Sequence, residues 1–158
     1  MTDAARDTAA GTFLVTHAES DSAVLRDVAD GRVHALAENP DLTAGDVLVG
    51  DLVAGPMGAT WTVEDERDRW TVDVRQTGAS PPDAAVEAAA DAGSGDLTVL
   101  ERPDGQLHAI AVEGDADSAA GEVVADDATV SRAARLGAQT VEVTAASGVV
   151  AVYYRTGD

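Results

Sequence analysis

The chain has no lysine and no cysteine, a single isoleucine, a single phenylalanine, and aromatic residues at only 3% of its 158 positions. Each shortage excludes a class of chemistry. Without cysteine there are no disulfides, thiolate metal sites or cysteine nucleophiles. Without lysine there is neither a P-loop nor a Ser-x-x-Lys dyad. The Gly-x-Gly-x-x-Gly and Gly-x-Ser-x-Gly spacings are missing as well, which argues against nucleotide-dependent catalysis and serine hydrolysis. No apolar run approaches the ~20 residues of a membrane-spanning helix. The opening MTDAARDTAA lacks the apolar centre of a signal peptide.

What is present is acid: 20 aspartates and 9 glutamates against ten arginines, for a formal charge of −19. Self-repulsion of that size strains a folded chain in dilute buffer. In molar salt the Debye length falls to about 3 Å and the repulsion is largely screened. The apolar set agrees, with 32 alanines and 21 valines in place of larger residues. Salts that strengthen burial let small side chains suffice. The composition therefore points to a cytoplasmic protein of a salt-accumulating cell, with K+ and other counter-ions at its acidic surface. The same acidity weighs against nucleic acid, whose binding draws on cationic side chains at phosphates. Protein partners and basic ligands stay open.

Along the chain, residues 1–10 read as a flexible tail and 11–77 as an almost pure β region. Strands are expected at 12–17, 23–28, 32–37, 46–53, 59–64 and 69–75, punctuated by Asp30-Gly31, Asn39-Pro40, Ala44-Gly45 and Gly55-Pro56. In the last strand Trp70, Val72 and Val74 alternate with Arg69, Thr71, Asp73 and Arg75. So many short strands without an intervening helix predict a small β-barrel of the oligonucleotide-binding type. Residues 78–95 read as a linker helix, begun by Pro81-Pro82-Asp83 and stopped by Gly93-Ser94-Gly95. Residues 96–158 predict a ββααββ module, a small antiparallel sheet with two helices packed on one face. In the second of those helices Val130, Ala133, Ala134 and Leu136 form the expected apolar face, closed by Gly137. The fold class is α+β.

One internal echo links the halves: Asp30-Gly31-Arg32-Val33-His34-Ala35-Leu36-Ala37 matches Asp104-Gly105-Gln106-Leu107-His108-Ala109-Ile110-Ala111 at five of eight positions. The flanks do not extend the match, so convergence of two alanine- and valine-rich hairpins accounts for it better than duplication does.

No catalytic residue and no cofactor site is legible. The histidines His17, His34 and His108 lack ligand spacing to one another, although His34 and His108 occupy equivalent hairpin positions. Brought together beside Asp they could hold a divalent ion; two half-buried structural histidines is the simpler reading. Glu64-Asp65-Glu66-Arg67-Asp68 reads as a charged hairpin tip rather than a metal loop, and Gly114-Asp115-Ala116-Asp117 lacks the ligand ladder of a calcium loop. Arg26, Arg32, Arg69 and Arg75, with Trp61 and Trp70, are the candidate nucleic-acid face. Against that reading, Asp73 lies between two of these arginines, and both tryptophans share faces with valines.

Thr12-Phe13-Leu14-Val15-Thr16-His17-Ala18, Ala23-Val24-Leu25-Arg26-Asp27-Val28, Asn39-Pro40 with Gly45-Asp46-Val47-Leu48, and the string from Ala128 to Gly137 (ATVSRAARLG) resemble a haloarchaeal family of small proteins of unknown function. The resemblance implies a haloarchaeal source and brings no activity or ligand. The Leu-x-x-Gly-Asp-x-Leu string at Leu42 to Leu48 also resembles the turn before a barrel strand in oligonucleotide-binding folds. The sequence therefore suggests a non-enzymatic binding or adaptor protein with a protein partner and no membrane association. The alternatives are a nucleic-acid-binding barrel and a small metal-dependent hydrolase using His34 or His108 with Asp.

Overall fold

The computed structural model describes residues 7–156, which divide into two compact units between Thr71 and Val72. The fold is α+β, with two mixed five-stranded sheets and three helices.

The first unit contains β1 (Thr8–Glu19), β2 (Ser22–Asp27), β3 (Val33–Leu36), β4 (Asp46–Ala54) and β5 (Trp61–Thr71), hydrogen-bonded in a closed ring in the order β1-β2-β3-β5-β4. Closure depends on the length of β1. Its first half pairs with β4 (Thr8↔Val53 to Leu14↔Val47) and its second half with β2 (Phe13↔Asp27 to Glu19↔Ser22). A bulge between Val15 and His17 turns the strand between its two partners. The remaining seam is narrow, a parallel contact of β3 with β5 at Leu36↔Trp61.

The period-2 pattern of small strands fills this ring. Phe13 and Val15 from β1, Ala23 and Leu25 from β2, Leu36 from β3, and Leu48 and Leu52 from β4 form one buried cluster, joined by Leu42. Gly50 lies between Leu48 and Leu52 for a steric reason. A Cβ there would stand 2.1 Å from the Asp65 carbonyl oxygen, where β4 and β5 shift register on both sides of the crossing. Asp46 is buried but satisfied, accepting from the Thr43 N–H at 2.9 Å and the Thr71 hydroxyl at 2.6 Å.

Three expectations for this region need correction. The strand begins at Thr8, inside the expected tail, while residues 1–6 lie outside the described residues. Glu64 to Asp68 is not a hairpin tip but the middle of β5, all five side chains exposed. Backbone pairing with β4 holds this stretch extended, so no apolar alternation marks it. Residues 69–75 are not one strand either: β5 ends at Thr71, and β6 (Asp73–Gln76) pairs in parallel with a strand of the second unit.

That unit continues with α1 (Asp83–Asp91), β7 (Leu97–Arg102), β8 (Gly105–Ala111), α2 (Ala116–Ala125), α3 (Asp127–Leu136), β9 (Thr140–Ala146) and β10 (Val149–Arg155). The ββααββ order is present within it, but the sheet runs β6-β9-β10-β8-β7 and is mixed, because β6 joins it in parallel. Helix α1 is packed rather than exposed. Its Ala85 meets Leu107, Ala109 and Ala151, and its Ala89 meets Ala111 and Val149, all on one face of β8 and β10. The alternate positions His108, Val152 and Tyr154 face α2 and α3. Helix α3 starts on Asp126, whose carboxylate accepts the Ala128 N–H, and ends on Gly137 at φ 78°, the left-handed stop that its position predicts. Of the expected apolar face, Ala133 and Ala134 are buried and Val130 and Leu136 are half-buried, while Thr129 adds a buried polar position. Among the described residues no helix is long and apolar enough to cross a membrane.

Candidate functional site

The candidate residues fall into different environments. Arg32 and Arg26 belong to the first unit around the β2–β3 hairpin. Arg32 is highly exposed, 3.7 Å from Asp30; Arg26 is half-buried with no carboxylate within 4 Å among the described residues. Arg69 is engaged elsewhere, pairing with Glu66 at 2.7 Å and donating to the backbone carbonyls of Pro40 at 3.0 Å and Asp41 at 3.2 Å. Arg75 lies on β6 of the second unit, paired with Asp73, and this partner raises its pKa. The four arginines thus do not share one strand system. Trp61 and Trp70 are half-buried.

His17 is exposed and within 3.2 Å of the Thr16 hydroxyl. His34 and His108 lie in different units, each packed on aromatic neighbours. The His34 ring stands edge-on to Phe13 and Trp61, with centroids 5.5 and 4.7 Å away, and its buried Nδ1 has no hydrogen-bond partner among the described residues. The register explains its burial: His34 pairs across to Leu25 and alternates with Leu36 on the inward face. It lines a cavity of about 560 Å³ at one end of the ring, shared with Trp61, Arg32 and Thr8. Among the described residues no group of three His, Asp or Glu side chains is arranged to hold a metal ion.

His108 is buried on β8, with its Nε2 3.1 Å from the Gln106 side-chain oxygen and its ring edge-on to Tyr154 at 4.8 Å. Burial, and secondarily the Arg132 guanidinium, push its pKa below the ordinary imidazole value. It lines a cleft of about 260 Å³ between the sheet and α2 and α3. There Arg132 donates to the Tyr154 hydroxyl at 3.3 Å, and Thr129 spends its own hydroxyl on the Val123 carbonyl at 2.7 Å.

Arg132 and Tyr154 escaped the sequence reading. Tyr154 does follow Val150 and Val152 on a buried strand face, a signal that was present. Arg132, by contrast, stands on a short helix among alanines, and only tertiary packing turns it toward β10.

On the other face of the sheet a second polar group surrounds Arg155. It pairs with Glu142 and Asp104, each at 2.7 Å, and its guanidinium stacks over the Tyr153 ring at 4.1 Å. Tyr153 donates to Asp104 at 2.5 Å, and this bond is the main cause of the lowered Asp104 pKa. Every charged group here is matched, so the cluster fastens β9, β10 and the β7–β8 turn together.

The fold and these sites define a two-unit α+β protein. The chain belongs to a family of unknown function, DUF5812, whose model matches residues 9–145. No match is found among curated proteins or among solved structures.

Proposed function

We propose that the chain is a non-enzymatic binding protein of a salt-rich cytoplasm, whose first unit docks a protein partner on the outer face of β2 and β3. The observation that carries this reading is a largely apolar surface free of carboxylates, on a chain with 29 of them. The cross-strand pairs Val24↔Ala35 and Arg26↔Val33 hold no carboxylate. Val33 is 61% exposed, and Met57, in the charge-free segment of residues 55–60, is 89% exposed. Large apolar side chains left in water on an otherwise solvated surface mark interaction sites, and interface centres are depleted in charge.

Connectivity supports the same face. A ring in which β1 pairs with both β2 and β4, and β3 meets β5 in parallel, has the layout of oligonucleotide-binding barrels. Such barrels use the second and third strands and the neighbouring loops as their binding surface. That likeness is fold-level analogy, and it lends equal support to a nucleic-acid ligand. The charges favour protein: of Arg26, Arg32, Arg69 and Arg75, three stand beside carboxylates, and phosphate binding needs several free cations at once. The hydrolase reading gains nothing from the geometry, because among the described residues neither His34 nor His108 is hydrogen-bonded to a carboxylate.

The test is affinity capture in molar KCl, with and without nuclease, using the wild type and the Val33→Asp/Met57→Asp double variant. A protein retained after nuclease, lost with the variant, and rebound when purified supports the reading. Capture that disappears with nuclease, or that ignores the two substitutions, contradicts it.

A further inference from the structure

The cleft of the second unit contains a charge with no ionic partner. Arg132 is half-buried, yet no carboxylate lies within 4 Å of it among the described residues, in a chain with 29 to offer. Five other arginines, Arg32, Arg67, Arg69, Arg75 and Arg155, each stand beside at least one; Arg26, Arg102 and Arg135 share the lack among the described residues, and what sets Arg132 apart is its place in the wall of the cleft. A guanidinium has five N–H donors, and among the described residues one bond is made, to the Tyr154 hydroxyl. A partly desolvated cation with unused donors is costly unless an acceptor arrives.

We propose that this cleft binds a small organic carboxylate, with the carboxylate on the Arg132 guanidinium and its apolar body against Leu97, Ile110, Val123 and Val152. These four residues line the same cavity, so its wall is largely apolar around a single cationic point. Its volume of about 260 Å³ lies just below the roughly 300–1,000 Å³ of sites for drug-sized ligands, which limits the occupant to a small molecule. The neighbouring groups select the charge. Asp126 also lines the cleft, its carboxylate spent on the start of α3, and it repels a second negative charge. His108 is held toward its neutral form by burial, so it adds a polar contact rather than a second cation. One free guanidinium flanked by a carboxylate suits a monoanion over phosphate. A planar carboxylate also fits the guanidinium fork through two parallel bonds.

The probes are 3-methylbutanoate, its uncharged isostere 3-methylbutanamide, acetate and inorganic phosphate, titrated calorimetrically into the full chain in molar KCl. The expected result is saturable binding of 3-methylbutanoate, tighter than that of each of the other three by at least about tenfold. Arg132→Gln should lose at least about tenfold in affinity, while Arg135→Gln, an exposed position on the same helix, should bind as the wild type does. The ligand comparison on the wild type stands even if Arg132→Gln folds poorly. The proposal is overturned by no saturable binding of 3-methylbutanoate up to about 10 mM. Phosphate or the amide binding as tightly, or a well-folded Arg132→Gln binding undiminished, would overturn it equally.

Discussion

Arg69 on β5 donates to the backbone carbonyl of Pro40 at 3.0 Å, tying the segment before β4 to the strand beside it. A second bond from the same guanidinium reaches the carbonyl of Asp41 at 3.2 Å, and Asp41 is the one non-glycine residue of positive φ among the described residues, at 63°. The side chain that reads in the sequence as a phosphate contact is a clamp on a strained turn. Arg69→Ala is expected to lower stability by about 1–2 kcal/mol, the net worth of such bonds, in urea unfolding. Unchanged stability would contradict the clamp, and micromolar binding of random oligonucleotides that weakens in this variant would restore the nucleic-acid reading.

Gly105 opens β8 at φ 147°, and a Cβ there would lie 1.8 Å from the Tyr154 carbonyl oxygen. No side-chain rotation relieves a clash with backbone on the adjacent strand. Gly105→Ala should therefore destabilise the second unit by on the order of 3 kcal/mol. Gly148→Ala has open space around its Cβ and pays only for its φ of 85°, so it should cost less. Equal thermal midpoints for the two variants would contradict the packing at Gly105.

His108 gives stability a defined pH dependence. Its folded-state pKa lies below the ordinary value because burial, then Arg132, oppose the charge. The unfolded chain takes up this proton near pH ~6.5, and the folded chain resists it. The stability is therefore complete above that pH and declines as pH falls toward the lowered folded value. His108→Gln should flatten the thermal midpoint between about pH 7 and about pH 5 relative to the wild type. Parallel profiles for the two proteins would show that His108 does not carry the effect.

The charge of −19 implies steep salt dependence. Moving from about 2 M to about 0.1 M KCl lengthens the screening distance from under ~3 Å to about 10 Å, so carboxylate repulsion returns. Circular dichroism melts should show a markedly lower midpoint in the dilute buffer. An unchanged midpoint would remove the case for a salt-rich cytoplasm.

Much of the architecture was legible where local chemistry dictates it. Asp30-Gly31 and Asp104-Gly105 stand at turns, Gly137 ends its helix in the left-handed conformation, and the alternation in residues 12–15 and 23–25 marks inward faces. What failed was decided across the chain. The clean alternation through Trp70, Val72 and Val74 hid a change of sheet, because both sheets demand the same period. An alanine-rich helix bounded by proline and glycine looked like a linker, yet small side chains are what let α1 lie close on β8 and β10. The five charged residues of β5 carried no strand signal, since pairing with β4 rather than burial holds them. The cleft was illegible for the same reason: Arg132 and Tyr154 are 22 positions apart and meet only when α3 settles on β10.

The proposed docking face is tested most directly by hydrogen–deuterium exchange on the chain with and without a partner purified by the capture described above, in molar KCl. Protection should concentrate on residues 22–36 and 55–60, around Val33 and Met57, and leave the cleft of the second unit unaffected. Protection confined to the second unit, or to the acidic stretch of β5, would contradict the account.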